Sequence, residues 1–565
     1  MNDTATPASS RLARTDLLRS LQKAFGLAVA AEQPGAPSVP ELIAQAEDQG
    51  RRRFLANSAR FGVLAGATGL LAACETVAPE PAPNLTAFRG SNAQGGAARV
   101  VIVGAGMAGL NCALKLQKGG VQASLYDAST RVGGRIFTAK DLMGSGLTTE
   151  LGGEFIDSGH VDMLNLVTEF GLPLYDVESP SETALEKDTY FFNGRRYSLQ
   201  EVIQAFQPYV ARITDDVRAM PNTIVFDNYG AAGPYDQLSI AGYFDSIGMT
   251  GLIRTLLEVA YVTEYGLEAN QQTAINFLWL FSPDTRKGTF DIFGISDERY
   301  KIQGGNQRLT DAMAQRLAGQ ITLQHKLTAI AKPADEYLLT FQQASGATVT
   351  VAADIVVLTI PFSVLRQVSL NLPLPAWKVN AINNLGYGTN AKLFLGFNSR
   401  PWRTNGCTGY IFSDQAAQSG WDGSQLQPGT AGAYTVYVGG QVGVDMGTGA
   451  PQSQVNRFLP TLEAAWPGTQ AQYNGKVERF HWPSHPLTRG SYACYRPGQY
   501  TSIAGAEGRP VGNLFFAGEH CSAYFQGYMN GAAETGRLAA QAVLQAATTK
   551  KVALLSRFRR AAVPV

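Results

Sequence analysis

The β-branched run Arg99 to Val103 (RVVIV) ends directly in Gly104-Ala105-Gly106-Met107-Ala108-Gly109, and a helical stretch from Leu110 to Gln117 follows. Strand, glycine turn and helix in that order open a βαβ unit. Gly104 permits the tight turn, Gly106 lets the backbone approach a pyrophosphate, and Gly109 lets helix lie close to strand. The helix then directs its positive end at the phosphates, with Met107 and Ala108 inside the same phosphate-binding turn. A second strand, Gln122 to Tyr126, ends at Asp127, 18 residues beyond Gly109, where a carboxylate can accept hydrogen bonds from a ribose. The fold expected is therefore α/β, with a Rossmann-type dinucleotide-binding domain.

At 565 residues the chain exceeds what one core usually organises, so two interleaved domains behind an unstructured leader are expected. Hydrophobic residues make up 45% and charged residues 16%, a balance that describes a well-buried body. A formal net charge of +1 removes any global attraction to nucleic acid and points to a small molecule met in a pocket. The five cysteines, Cys74, Cys112, Cys407, Cys494 and Cys521, form no C-x-x-C pair and no zinc-like cluster with the histidines, so no metal site is expected.

Arg51-Arg52-Arg53-Phe54-Leu55 precedes a mostly apolar run from Phe61 to Ala73 that is short for a bilayer span. The arginines resemble the twin-arginine export signal of bacteria, and Leu71-Ala72-Ala73-Cys74 resembles a lipobox. The resemblance implies export to the bacterial periplasm. Two fates of the signal stay open: lipidation at Cys74, which would anchor the protein to the membrane, or cleavage at a small-residue site. Residues 1–50 read as a disordered leader extension, 51–74 as the signal segment and 75–97 as a Pro-rich tether.

Arg131-Val132-Gly133-Gly134-Arg135 resembles the R-x-G-G-R segment of the flavin-containing amine oxidases. The same resemblance holds at Glu150-Leu151-Gly152-Gly153-Glu154-Phe155, at Gly304 to Leu309, at Leu374 to Lys378 with Phe397 to Trp402, and at two C-terminal segments. These are Gly512 to Glu519, a strand leading to Gly518-Glu519, and Gly527-Tyr528-Met529 to Gly536, which opens an Ala-rich helix. The resemblance spans residue 99 to about 545 and implies a Rossmann-type FAD-binding domain interleaved with an α+β substrate-binding domain. It assigns 98–160, 301–365 and 481–548 to FAD, 161–300 and 366–480 to the substrate, and 549–565 to a tail.

The resemblance implies that the glycines and arginines of the first segment run beside the cofactor's diphosphate and flavin. It implies also that Glu519 reaches the ribityl or diphosphate part of FAD, and that the following helix points at the flavin. Where some members bond FAD to a cysteine this chain has Ser491, so noncovalent FAD is expected. The segment matching the family's flavin-facing lysine is read as Gln367 to Asn371, which holds none, leaving O2 and a quinone or cytochrome open as acceptors. Tyr492 and Tyr528 match the pair of rings that frames the substrate amine. His481, His485 and His520 read as structural.

The implied reaction is oxidation of an amine by hydride transfer to flavin, with O2 returning as H2O2. Two alternatives stand beside it. One is an L-amino acid oxidase, disfavoured by Phe155 where such members carry an arginine and by Glu154, which would tolerate a cationic amine. The other is a flavoprotein that carries electrons without turnover.

Overall fold

The computed structural model describes residues 27–28, 37–43, 98–279 and 296–561, with side chains to residue 547. The expected signal segment, Cys74 and the tether lie outside the described residues. Two short pieces of the expected disordered leader are described, and they depart from that reading. Leu27, Ala28 and Leu42 are buried and share an apolar cluster with Val202, Phe206 and Leu256 of the folded body. Burying these side chains gives that part of the chain a fixed place.

Five short strands form an all-parallel sheet in the order Leu514–Phe516, Ile355–Leu358, Val100–Val103, Ala123–Tyr126, Ile321–Thr322. Its strands come from both ends and the middle of the chain, which is the discontinuity that an inserted domain creates. Val100–Val103 and Ile355–Leu358, next to each other in the sheet, are apolar, rich in β-branched residues and buried at every position because both faces are covered there. Val100, Ile102 and Val357 pack with the first helix, Met107–Lys118, while Val101, Val103 and Val356 face the larger cluster on the other side.

The C-terminal helix, Met529–Ala561, lies across the first helix. Gly536 makes this possible: a Cβ there would sit 2.3 Å from the carbonyl oxygen of Ala108. The helix continues past residue 549, where a separate tail is expected, because no glycine or proline interrupts 537–561.

A second, seven-stranded sheet runs Tyr473–His481, Ala391–Phe397, Gly432–Val438, Ser419–Asp422, Cys407–Ser413, Glu186–Phe192, Arg195–Tyr197. Alternation along its strands separates two faces. Leu393, Leu395, Tyr434, Val436 and Ile411 pack against Phe458, Leu462 and Trp466. Lys392, Tyr410, Trp421 and Tyr437 line a cavity on the other face. Ser369–Asn371, expected in the substrate domain, instead pairs in parallel with Ala329–Ala331 in a four-stranded sheet. That pairing moves the domain boundary a few residues later.

Candidate active site

The parallel sheet ends at a cavity of ≈ 400 Å³ that extends to the seven-stranded sheet. Gly104, at φ +110°, turns the chain beneath Thr359, whose hydroxyl donates to the carbonyls of Val103 and Gly104. A Cβ on Gly109 would stand 1.9 Å from the Gly104 carbonyl oxygen, so only glycine lets the helix start this close to the strand. The helix begins with Gly106 as N-cap and no capping side chain, leaving first-turn N–H groups for a ligand. Gly106, Met107 and Ala108 face the cavity, as do Gly104 and Asp127.

Asp127 accepts from the Ala105 N–H at 2.6 Å and the Ser129 N–H at 2.7 Å. Burial pushes its carboxyl above the usual range, and these two backbone donors oppose the shift. Gly133 and Gly134 close over the glycine turn, the Gly133 N–H donating to Ala105 at 2.8 Å. A Cβ on Gly134 would come within 3.2 Å of the Gly106 Cα, so the two loops touch backbone to backbone.

The two arginines are more occupied than their sequence context implies. Arg131 donates to the carbonyls of Val132, Gly134 and Ile136 and stacks over Phe137 at 3.8 Å. Arg135 donates to the Ser491 carbonyl and to Glu519 Oε1, each at 2.8 Å. Their main work in this structure is to hold the glycine loop and the Glu519 segment in place.

Glu519 is buried and also accepts from the N–H groups of Ala493 and Gly527. Gly518, Glu519, Gly527, Tyr528 and Met529 all face the cavity, as do Gly152, Gly153 and Glu154. A Cβ on Gly153 would stand 2.8 Å from the Met529 side chain. Gly109 and Gly133 are the two expected cofactor residues that do not line the cavity. They pack behind it, where their missing side chains let backbones meet. Glycine surfaces, an open helix N-terminus, a half-buried carboxylate at the end of the second strand and a cavity that joins them to the second sheet together fit FAD.

Tyr492 and Tyr528 both line the same cavity. The Tyr492 hydroxyl donates to the Glu264 carbonyl at 2.7 Å and lies 2.8 Å from the Tyr437 hydroxyl. The Tyr528 ring meets His160 edge-on, with centroids 5.0 Å apart. His160 is fully buried, and burial pushes its imidazole down to about 3, so it is neutral at ordinary pH. Ser491 donates to Asn390 at 2.7 Å, while Cys494 is buried away from the cavity. His485 lines the cavity, His520 packs on Phe362, and His481 is held by Ser484 and Gly443.

Two features were not read from the sequence. The first is an aromatic wall: Trp421 lies 5.6 Å from Phe155, 6.4 Å from Tyr410 and 5.4 Å from Tyr437, ring centre to ring centre. The second is a lysine. No residue of Gln367 to Asn371 lines the cavity, but Lys392 does, from a strand of the second sheet. Its ammonium donates to the carbonyls of Glu150 at 3.1 Å and Gly152 at 2.8 Å, and to Glu154 Oε2 at 3.2 Å. The expectation of a cavity without a lysine is therefore corrected. Its signal stood five residues before Phe397, between the two segments that resembled the family, Leu374 to Lys378 and Phe397 to Trp402.

Glu154 is corrected too. Its carboxylate lies between Lys392 and Lys301, the latter 3.6 Å away, so its charge is already met by the protein. Nearby, burial raises the Glu150 carboxyl to about 7, and the neighbouring Glu154 charge adds to the effect.

Residues 107–544 match the model of the family described as flavin containing amine oxidoreductase. A flavin-containing amine oxidase of Danio rerio is 22% identical over 462 residues, covering 79% of this chain and 85% of the relative. An L-amino-acid oxidase of Pseudechis australis is 24% identical over 481 residues, covering 79% and 86%. Among solved structures, cyclohexylamine oxidase from Brevibacterium oxydans IH-35A superposes with a TM-score of 0.68 at 20% identity, covering 80% of this chain and 99% of that one. Putrescine oxidase bound to putrescine gives 0.67 at 19% identity, covering 79% and 99%. With the glycine cradle, the two-sheet architecture and a family match over most of its length, the chain belongs to the flavin-containing amine oxidoreductases, and FAD is its cofactor.

Proposed function

We propose that this enzyme oxidises an amine at its α-carbon, giving an imine that water converts to an aldehyde or ketone plus ammonia or a smaller amine. The observation that carries the reading is a single cavity whose walls include the nucleotide-binding glycine turn at one end and Tyr492, Tyr528 and the aromatic wall at the other. Bound FAD supplies the chemistry by accepting the hydride equivalent that leaves the α-carbon. The protein supplies position, exclusion of water and electrostatics.

The rings of Tyr492 and Tyr528 offer apolar faces that orient an amine and favour its uncharged form. The Lys392 ammonium in the same cavity disfavours a second positive charge and so pushes a bound amine toward neutrality. The start of the Met529–Ala561 helix lies at the cavity, where its dipole favours developing negative charge. Oxygen as acceptor takes two electrons and two protons and leaves as H2O2.

The test is anaerobic mixing of the FAD-loaded protein with a panel of amines and L-amino acids while the flavin's visible absorbance is followed. Bleaching by amines alone supports this reading, and bleaching by L-amino acids alone replaces it with the amino acid oxidase. Failure of every substrate leaves an electron-carrying flavoprotein. Rapid reoxidation in air, with peroxide formed, supports O2 over a quinone or cytochrome.

The proposal includes export of the loaded protein to the bacterial periplasm, supported by the paired arginines ahead of the apolar run. Fractionation that found only full-length protein in the cytosol would remove this part.

A further inference from the structure

Tyr437 and Tyr492 reach the cavity from different parts of the chain and meet hydroxyl to hydroxyl, 2.8 Å apart. The Tyr492 hydroxyl oxygen also lies 2.7 Å from the Glu264 carbonyl oxygen. A carbonyl only accepts and a tyrosine carries one hydroxyl proton, so Tyr492 donates to Glu264 and Tyr437 donates to Tyr492. Glu264 thus sets the direction of both bonds.

Glu264 stands in the last turn of the helix Gly251–Tyr265, where the carbonyls run out of helical N–H partners. Gly266 ends the helix at φ +79°, and its N–H meets the Val262 carbonyl. The Thr263 carbonyl accepts from Asn390 Nδ2 at 2.9 Å, and Asn390 in turn accepts from the Ser491 hydroxyl at 2.7 Å. One helix end therefore holds Ser491 through Asn390 and holds Tyr492 directly.

The backbone here is tied separately. The Gly388 N–H donates to the Tyr492 carbonyl and the Ser491 N–H to the Gly388 carbonyl, each at 2.9 Å. These bonds leave the tilt of the Tyr492 ring open, because rotation about the bond to an aromatic ring has a broad minimum. The two hydroxyl contacts close it. Tyr437 can act as the fixed partner: it sits in the strand Gly432–Val438 with Lys392 and Ser419 opposite it on either side, and its ring lies 5.4 Å from that of Trp421.

We propose that Tyr437 is a positioning residue: by donating to Tyr492 it holds that ring at the angle at which it flanks the substrate amine, and so ties the tyrosine pair to the aromatic wall. Because the Tyr437 proton goes to Tyr492, its loss acts on the rate of flavin reduction rather than on how tightly substrate is held. The inference rests on the proposed amine oxidation, with Tyr492 beside the amine. A substrate carboxylate held by the Tyr437 hydroxyl would predict the reverse, weaker binding with the limiting rate spared.

Tyr437→Phe removes one oxygen atom and keeps the ring beside Trp421. In anaerobic rapid mixing with an amine that bleaches the wild type, the limiting rate of reduction should fall about 3–10-fold, the worth of one hydrogen bond, while the apparent Kd for the amine changes less than about twofold. In a Tyr492→Phe background the same change should have no further effect, because the accepting oxygen is gone. In a Tyr528→Ala background it should keep its full factor. An unchanged rate, a loss confined to Kd, or the same factor with and without the Tyr492 hydroxyl overturns the proposal.

Crystal structures of the FAD-loaded proteins give a readout independent of turnover. The Tyr492 ring should hold one position in the wild type and take a displaced or second one in Tyr437→Phe; a ring that stays in place overturns the proposal. Failure of every amine to bleach the flavin would sink the proposed reaction, and the ring positions would still decide whether Tyr437 holds Tyr492.

Discussion

Glu519→Ala should be the most damaging single change at the site that adds no steric clash. Oε1 of Glu519 accepts from Arg135 at 2.8 Å and from the Ala493 N–H at 3.3 Å, and Oε2 accepts from the Gly527 N–H at 2.8 Å. Ala493 follows Tyr492 and Gly527 precedes Tyr528, so one carboxylate ties the two tyrosine segments to each other and to the R-x-G-G-R loop. Removing one partner of a buried ion pair costs about 3–5 kcal/mol. The Arg135 side chain is 25% exposed, so water recovers part of that loss and the lower end applies. The two N–H groups that lose this acceptor add to it, and the expected destabilisation is about 3–4 kcal/mol. Glu519→Gln preserves shape and an acceptor, and should cost only about 1–2 kcal/mol. Urea unfolding of the apoprotein measures both, and fluorescence of released FAD reports affinity, which should weaken at least about tenfold for alanine. An alanine variant with the wild-type midpoint and FAD affinity would refute the reading of Glu519 as the common tie.

Tyr528→Ala should slow anaerobic flavin reduction by about 10–100-fold in rapid-mixing experiments while FAD stays bound, with Tyr492→Ala milder; an unchanged rate in the double mutant removes the tyrosine pair from catalysis. Acid precipitation should release all FAD into the supernatant, since Ser491 occupies the position where some members carry the bonding cysteine; flavin retained in the pellet contradicts this. His160 has its imidazole lowered from 6.5 to about 3 by burial, so its contribution to stability is fully present above pH 6.5 and is lost as pH falls from there toward 3. Between pH 6.5 and about pH 5 that loss is about 2 kcal/mol, and His160→Gln should flatten the acid side of the urea-midpoint profile by that amount.

The nucleotide half of the site was legible because its information is local. Gly109 closes on Gly104, Asp127 accepts from Ala105, and Gly133-Gly134 meet Ala105 and Gly106, all close in sequence, so their spacing states their geometry; the Thr359 contact to Gly104 comes from farther along the chain. The substrate half was not. Lys392 sits in AKLFLGF, where it reads as one polar break in an apolar strand. Its meaning comes from acceptors at Glu150, Gly152 and Glu154, some 240 positions away, and no periodicity encodes that. The roles of Arg131 and Arg135 were hidden similarly, because a guanidinium beside glycines looks the same in sequence whether it serves a phosphate or a carbonyl. The aromatic wall needed the strand order of the second sheet, which places Tyr410, Trp421 and Tyr437 on one face through pairings that sequence alone does not number.

The crossing of Gly536 over Ala108 has a consequence for how the protein is made. The first helix, Met107–Lys118, leaves the ribosome long before the helix that covers it, which starts at Met529. Leu514–Phe516 completes the sheet equally late, beside Ile355–Leu358. A chain that stops before Leu514 lacks the edge strand of the parallel sheet, the Glu519 carboxylate and the helix over Ala108, and should hold FAD more weakly. Tight flavin binding is therefore expected only after the Met529–Ala561 helix has been made. Yellow colour would then mark the chains in which the Met529–Ala561 helix has seated on the first helix.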